Sequence, residues 1–188
     1  MYGIFHTALR DLVRNNYDAG LWHQIVNKAG LCEDHFLRAK DYDDEISFKL
    51  FDTAAAELEI AVDQLHEKLG LQFITDSASH LIDTLTMGSR PGFDHTILGI
   101  HEMVSTLSRT MPGFSMGRFP AENLGVGRYR LHYVSARPGM VPFVRGMIFG
   151  IANLYSKRIT VETHPLADSA NEYGAAFLIT EKGESKVA

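Results

Sequence analysis

The sequence is almost without cysteine, and this scarcity excludes several kinds of site. Cys32 is the one cysteine among 188 residues. A disulfide within the chain needs two cysteines, and zinc or iron–sulfur sites built on several thiolates need more. A reducing, cytoplasmic setting is therefore the expected location.

Long apolar runs and a surplus of basic residues are also missing. The most apolar stretch, 140–155, is too short for a membrane helix and carries Arg145 in its middle. The opening residues lack the basic and apolar regions of a secretory signal. With 18 Lys and Arg against 23 Asp and Glu, the net charge is −5, which disfavours nucleic acid as a partner. We expect neither a membrane nor a nucleic-acid partner.

Helical spacing of apolar residues dominates the first half of the chain. Phe5, Leu9 and Leu12 share one face of a predicted helix. Gly30 is expected to end the second helix, and the acidic run 41–45 is typical of the start of the third. Two further short helices are predicted over residues 63–69 and 71–86.

The second half combines helices with alternating segments that are typical of strands. A helix is predicted over 93–110, and an apolar helix over 140–155. Gly146 and Gly150, one turn apart, are expected to let that last helix pack closely against the sheet or a cofactor. The stretch 118–127 is predicted to be a loop. Strands are predicted over 128–137, 158–164 and 175–180.

This order of elements predicts an α+β fold with an antiparallel sheet. The chain is expected to form a single domain over 1–188. A distal helical lobe is predicted over 1–86 and a proximal α/β lobe over 90–181. The turn cluster 87–92 is the expected junction between them.

One predicted strand carries a row of hydrogen-bond donors. Tyr133, Ser135 and Arg137 are two residues apart, so their side chains point to the same face. A phenol, a hydroxyl and a guanidinium in line suit a ligand that bears carboxylates. The alternative is a solvated strand face with no ligand.

A histidine in the helix 93–110 is the second candidate. His101 follows Ile97 and Leu98 and precedes Val104 at helical spacing, so it is expected to lie within an apolar face. A histidine in such a place is most often an ordinary core residue. The alternative is an axial ligand to haem iron.

The motifs resemble those of the haem nitric-oxide/oxygen-binding (H-NOX) domains, which are related to the sensor domain of soluble guanylate cyclases. The segment 133–137 matches the family's Tyr-x-Ser-x-Arg motif, and 98–104 is similar to its Leu-x-x-His-x-x-Val motif. The opening Met1-Tyr-Gly and the Ala-Gly-Leu at 29–31 fit as well. The resemblance extends over residues 1–165.

The resemblance implies a haem b cofactor buried between the two lobes. His101 would be the iron ligand, and Tyr133, Ser135 and Arg137 would bind the haem propionates. Pro112 would correspond to a family proline that presses on the macrocycle. The implied pocket is apolar, and its predicted lining is Phe5, Leu9, Phe73 and Phe143.

The apolar lining bears on which gas the domain would bind. The resemblance implies that oxygen-binding members of the family have a distal tyrosine at the position of Phe143. Phenylalanine cannot donate a hydrogen bond. Bound O₂ needs such a donor more than NO does. The prediction is a non-enzymatic sensor of NO and CO, without a stable O₂ complex, that regulates a histidine kinase or a cyclic-di-GMP enzyme.

Two other functions fit parts of the sequence. Gly113-Phe-Ser115-Met-Gly117 fits the Gly-x-Ser-x-Gly pattern of serine hydrolases. That pattern requires a following helix and a later Asp and His, whereas no histidine follows Asp168. The second alternative is a haem-free ligand-binding or interaction module on the same fold.

Overall fold

The computed structural model of the chain leaves several short segments undescribed. Cys32, most of the predicted junction at 87–92 and the end of the predicted helix 71–86 fall in those segments. The described residues are 1–18, 20–31, 36–78, 92–166 and 172–182.

The N-terminal half is helical, as predicted. Its helices bury the apolar faces that their spacing indicated; Leu9, for example, is fully buried. The second helix ends just before Gly30, whose φ of 69° suits glycine. Acidic residues occupy the first turn of the third. The four helices are α1 (Gly3–Asn16), α2 (Leu21–Lys28), α3 (Asp44–Glu57) and α4 (Val62–Gln72).

The prediction of two short helices after residue 62 is wrong. Helix α4 runs to Gln72 and continues directly into a π-helical turn, Phe73–Ala78. Gly70 lies inside α4 rather than at a break. A Cβ at this position would overlap the carbonyl oxygen of Phe143, so the glycine serves a close helix crossing.

The C-terminal half contains two helices and a four-stranded antiparallel sheet with the order β1-β2-β4-β3. The α+β fold class is therefore confirmed. The strand β1 falls in the stretch predicted as a loop, because Ala-Glu-Asn-Leu-Gly has little strand propensity and its pairing with β2 decides its conformation. The elements are α5 (Phe93–Thr110), β1 (Ala121–Gly125), β2 (Arg128–Ser135), α6 (Val141–Leu154), β3 (Ile159–Pro165) and β4 (Tyr173–Glu181).

The two halves meet where α6 crosses α4. The expectation that Gly146 and Gly150 face the sheet or a cofactor is wrong, because both face α4. A Cβ on Gly146 would overlap the carbonyl oxygen of Glu67, and one on Gly150 would lie 2.8 Å from that of Leu71. The crossing therefore depends on glycine from both helices. Among the described residues, no helix combines the length and hydrophobicity that a membrane crossing requires.

Candidate functional site

A cleft with an empty volume of about 300 Å³ lies between β2, the start of α6 and the chain that follows α5. Five of the residues predicted from the sequence line it: Phe5, Tyr133, Ser135, Arg137 and Phe143.

The polar end of the cleft is organised around Arg137. Its Nε donates to the Asp44 carboxylate at 2.8 Å, and its Nη1 donates to the carbonyl oxygen of Ser115 at 2.6 Å. Among the described residues, Nη2 has no hydrogen-bond partner. The guanidinium is thus held in one orientation while part of its fork stays available to a ligand.

Asp44 supports this arrangement from the first turn of α3. Burial acts to raise the pKa of Asp44, but the hydrogen bond and charge of Arg137, with the amino group of Met1, outweigh it and hold the pKa below its usual range. The carboxylate therefore stays ionised beside Arg137. Sequence reasoning missed this partner, because the acidic run at 41–45 indicated only a helix start.

Tyr133 and Ser135 continue the row along β2. Alternate side chains of this strand are buried, as predicted, and Tyr133 is 2% exposed. Burial raises the pKa of Tyr133, although the Ser135 hydroxyl and the Arg137 charge act in the opposite direction. The phenol therefore stays protonated. Ser135 Oγ accepts a hydrogen bond from the backbone N–H of Arg137 at 3.1 Å.

The other wall of the cleft is aromatic. Phe5 and Phe143 line it directly, with ring centroids 5.5 Å apart. Phe73 stacks on Phe5 at 5.3 Å and lies 5.7 Å from Phe143, although it is not part of the lining. Leu9 is fully buried in the core. These four side chains carry no hydrogen-bond donor.

The prediction that His101 lies within an apolar face is wrong. Its side chain is exposed, because the buried stripe of α5 follows Ile97, Ile100 and Val104 and leaves residue 101 at its edge. His101 is not in the lining of the cleft. Its Nδ1 accepts a hydrogen bond from the backbone N–H of Phe119 at 3.3 Å.

The segment 111–119 links His101 to the cleft. Phe119 is fully buried, and its ring centroid lies 5.2 Å from that of Tyr133. Upstream in the same segment, Ser115 and Met116 line the cleft. His101 therefore contacts the site through this segment.

Pro112, which the resemblance implies to press on the macrocycle, lies outside the cleft lining. It is exposed. The aromatic residue two positions later is buried instead: Phe114 is 5% exposed and packs parallel to Phe5 at 6.3 Å. Phe114 was not among the predicted site residues, since the sequence gives no periodic pattern in this segment.

The geometry argues against a hydrolase at Ser115. A nucleophile elbow places its serine between a strand and a helix. Ser115 lies in an irregular segment that leads into β1, and its carbonyl oxygen is bound by Arg137. The Gly-x-Ser-x-Gly match is therefore coincidental. Gly117, with a φ of 98°, lets the segment pass close to the carbonyl oxygen of Val134.

The donor set and the walls of the cleft fit a porphyrin with carboxylate arms. Tyr133, Ser135 and Arg137 offer donors at one end, and the edge-to-face rings of Phe5 and Phe143 offer an apolar surface. Such a combination of an apolar wall and a few convergent polar groups is typical of a cofactor site.

Comparisons with known proteins identify relatives of this chain. The soluble guanylate cyclase gcy-32 of Caenorhabditis elegans is 28% identical over 163 residues, which are 81% of this chain. The chain spans 23% of the length of that cyclase.

Two solved structures of an H-NOX protein from S. oneidensis have the same fold. A variant in the Fe(II) ligation state superposes with a TM-score of 0.84 at 18% identity, over the whole of both chains. The Fe(II)NO state gives a TM-score of 0.81 at 19% identity, over 97% of this chain and 100% of the other. The profile of the haem-NO-binding family matches residues 2–163. This chain belongs to the haem-NO-binding family.

Proposed function

We propose that this chain is a haem-based sensor of nitric oxide, which binds NO and CO and forms no stable O₂ complex. His101 would hold the iron of haem b, and Tyr133, Ser135 and Arg137 would bind its propionates. The cofactor would supply an iron atom with an open position for a gas ligand. The observation that carries the proposal is the convergence of Tyr133 and Ser135 on β2, and of Arg137 just after it, on one cleft that Phe5 and Phe143 also line.

The support for a carboxylate ligand comes from the state of Arg137. A free arginine side chain loses conformational entropy when it binds, whereas Asp44 and the Ser115 carbonyl already hold this one. The guanidinium remains charged at any physiological pH. A propionate would therefore meet an oriented positive charge beside two hydroxyl groups.

The support for NO over O₂ comes from the aromatic wall. Phe5, Phe73 and Phe143 are each less than 5% exposed and have no polar side-chain atom. An O₂ complex carries partial negative charge that a nearby donor stabilises, and these rings provide none. NO does not depend on such a donor.

The role of His101 has a definite chemical requirement. A backbone N–H can only donate, so the contact with Phe119 requires an unprotonated Nδ1 and, in the neutral ring, a protonated Nε2. A histidine that binds a metal through Nε2 carries its proton on Nδ1. Binding iron would therefore exchange the Phe119 hydrogen bond for one donated by Nδ1–H.

The iron ligand can be tested with two histidines of one helix. His101→Gly is expected to lose haem from the purified chain and to regain it when imidazole is supplied, as judged from the visible absorption spectrum. The control is His95→Gly, since His95 lies on α5 with its side chain 79% exposed. Haem retention by His101→Gly equal to that of the control would refute the assignment.

The gas selectivity can be tested at Phe143. Phe143→Tyr places a phenol in the aromatic wall and is expected to produce an O₂ complex of the ferrous protein in air, which the wild type lacks. Phe143→Leu, which adds no donor, is the matched control. A stable wild-type O₂ complex would contradict the proposed selectivity.

We further propose that the domain regulates a separate signalling enzyme, either a histidine kinase or a cyclic-di-GMP enzyme. Family membership supports a sensor role, and the match to the cyclase covers a small part of that longer protein. The test is to add the chain, with and without NO, to candidate enzymes and to measure their turnover. If NO leaves the turnover of every candidate enzyme unchanged in the presence of the chain, the proposal is contradicted.

A further inference from the structure

A buried histidine outside the cleft contacts the turn that follows Arg137. His66 belongs to α4 and is 3% exposed. Its Nδ1 lies 3.0 Å from the carbonyl oxygen of Gly139. A carbonyl oxygen only accepts, so Nδ1 must carry the proton in this contact. Gly139 follows Arg137 by two residues, in the turn between β2 and α6.

The other ring nitrogen of His66 has no partner. Its Nε2 is buried without a hydrogen bond among the described residues, and the ring packs edge-on against Phe51 at 5.4 Å. A buried polar atom without a partner costs free energy, on the order of 1–3 kcal/mol. An apolar side chain would fill the same space without that cost. What the histidine adds is the hydrogen bond to Gly139.

That bond restrains the turn that presents Arg137. Gly139 has a φ of 72°, so the turn uses a conformation that few other residues adopt readily. The same turn is held at its other end by the hydrogen bond from the Arg137 N–H to Ser135 Oγ. Asp44 restrains the guanidinium itself. Two helices of the N-terminal half, α3 and α4, thus fix one arginine of the C-terminal half.

We propose that His66 is a positioning residue for carboxylate binding, which acts by fixing the turn so that Arg137 stays aligned with Tyr133 and Ser135. His66 is not among the residues that line the cleft. The inference rests on the proposed function for the identity of the ligand, a porphyrin with two carboxylates. It adds that the affinity for those carboxylates is set from α4.

The test compares substitutions of His66 that place a side-chain amide near the position of one or the other ring nitrogen. In His66→Asn the amide can reach the position of Nδ1 and keep the bond to Gly139, whereas in His66→Gln it lies nearer the position of Nε2. His66→Leu removes the donor and keeps an apolar volume. Each variant is titrated with metal-free protoporphyrin IX and with its dimethyl ester, which lacks the charged carboxylates.

We expect His66→Gln and His66→Leu to lose about tenfold in affinity for the dicarboxylate porphyrin, the effect of one hydrogen bond to a charged group. Their affinity for the diester should change less than about twofold, and His66→Asn should resemble the wild type with both probes. If His66 had only a structural role, its substitution would weaken the binding of both porphyrins equally. Equal losses, or none, would overturn the proposal.

The outcomes separate this inference from the proposed function. A wild type that binds neither porphyrin, or both equally well, would overturn the carboxylate site itself and the role of His66 with it. If His66→Gln and His66→Leu do not fold, the ring ¹⁵N spectrum of wild-type His66 decides instead. The Nδ1–H tautomer in the porphyrin complex supports the proposal, and the Nε2–H tautomer overturns it.

Discussion

The N-terminal half of the molecule buries two imidazoles, whereas no histidine is buried in the described part of the C-terminal half. In the described part of residues 1–78, the buried polar side chains are His6, Thr7, Ser47 and His66. In the described part of 92–182 they are Thr96 and Ser135.

The histidines show the difference most clearly. His6 is fully buried, stacks on Phe36 at 4.5 Å and shares a hydrogen bond of 2.9 Å with Ser47 Oγ. His101 and His164, in the C-terminal half, are exposed. Burial therefore does not distinguish a functional histidine from a structural one in this fold. The exposed His101 is the candidate iron ligand, the buried His66 is the proposed positioning residue, and the buried His6 contributes to packing.

The contact that unites the two halves can be broken at Gly146. Gly146→Ala places a methyl group against the backbone of Glu67, so α4 and α6 must separate. We expect a loss of about 3 kcal/mol or more in the free energy of unfolding, measured by urea denaturation. The control is Gly99→Ala in α5, where an added Cβ meets nothing within 4 Å. That change should stabilise the chain by about 0.5–1 kcal/mol. Equal stabilities of the two variants would mean that the halves do not depend on this crossing.

Acid should affect the N-terminal half through His6. Burial, and then the charge of the Met1 amino group, lower the pKa of His6 to about 4. The unfolded chain binds a proton near pH 6.5, so the native state binds fewer protons between the two values. The contribution of His6 to the free energy of unfolding is therefore complete above pH 6.5, and it declines as the pH falls to about 4.

The size of this effect is on the order of 3 kcal/mol. The measurement is the free energy of unfolding as a function of pH. In His6→Gln the amide can keep the bond to Ser47 without titrating, and this variant should lose that part of the pH dependence. Burial also lowers the pKa of His66, near Asp63 and Asp52, so part of the acid sensitivity should remain. An unchanged pH profile in His6→Gln would contradict the assignment.

The smallest expected effect comes from breaking the ion pair between Arg137 and Asp44, which links the two halves at the cleft. Arg137 and Asp44 are 21% and 40% exposed, so solvent screens their attraction. A double-mutant cycle with Arg137→Met and Asp44→Asn should give a coupling of about 1 kcal/mol in the free energy of unfolding. A coupling near zero would show that Asp44 only neighbours Arg137 and does not hold it.

The elements that the sequence predicted well are those with a strong local pattern. The stripe containing Leu9 predicted α1, and the alternation through Tyr133 predicted β2 and its buried face. The motif residues Tyr133, Ser135 and Arg137 were found from their two-residue spacing, which is a property of any strand. The family was identified from the same residues.

The errors share a physical cause. Strand β1 forms because β2 supplies its hydrogen bonds, and its own residues give little signal. The separate helices predicted over 63–69 and 71–86 leave Gly70 between them, as the low helix propensity of glycine favours. The crossing of α4 and α6 needs it there, and packing outweighs propensity. The prediction for His101 is wrong because the buried stripe of α5 is displaced by one position from the predicted stripe.

The sequence by itself determined the elements with a strong apolar period, the α+β class and the row of donors at Tyr133, Ser135 and Arg137, because these follow from the periodicity of side chains along the chain. Only the tertiary structure decided which groups meet across elements: Asp44 with Arg137, His66 with Gly139, and Phe119 with His101. Such pairs are separated by 18 to 93 residues in the chain. Their contact depends on how the helices and the sheet pack together.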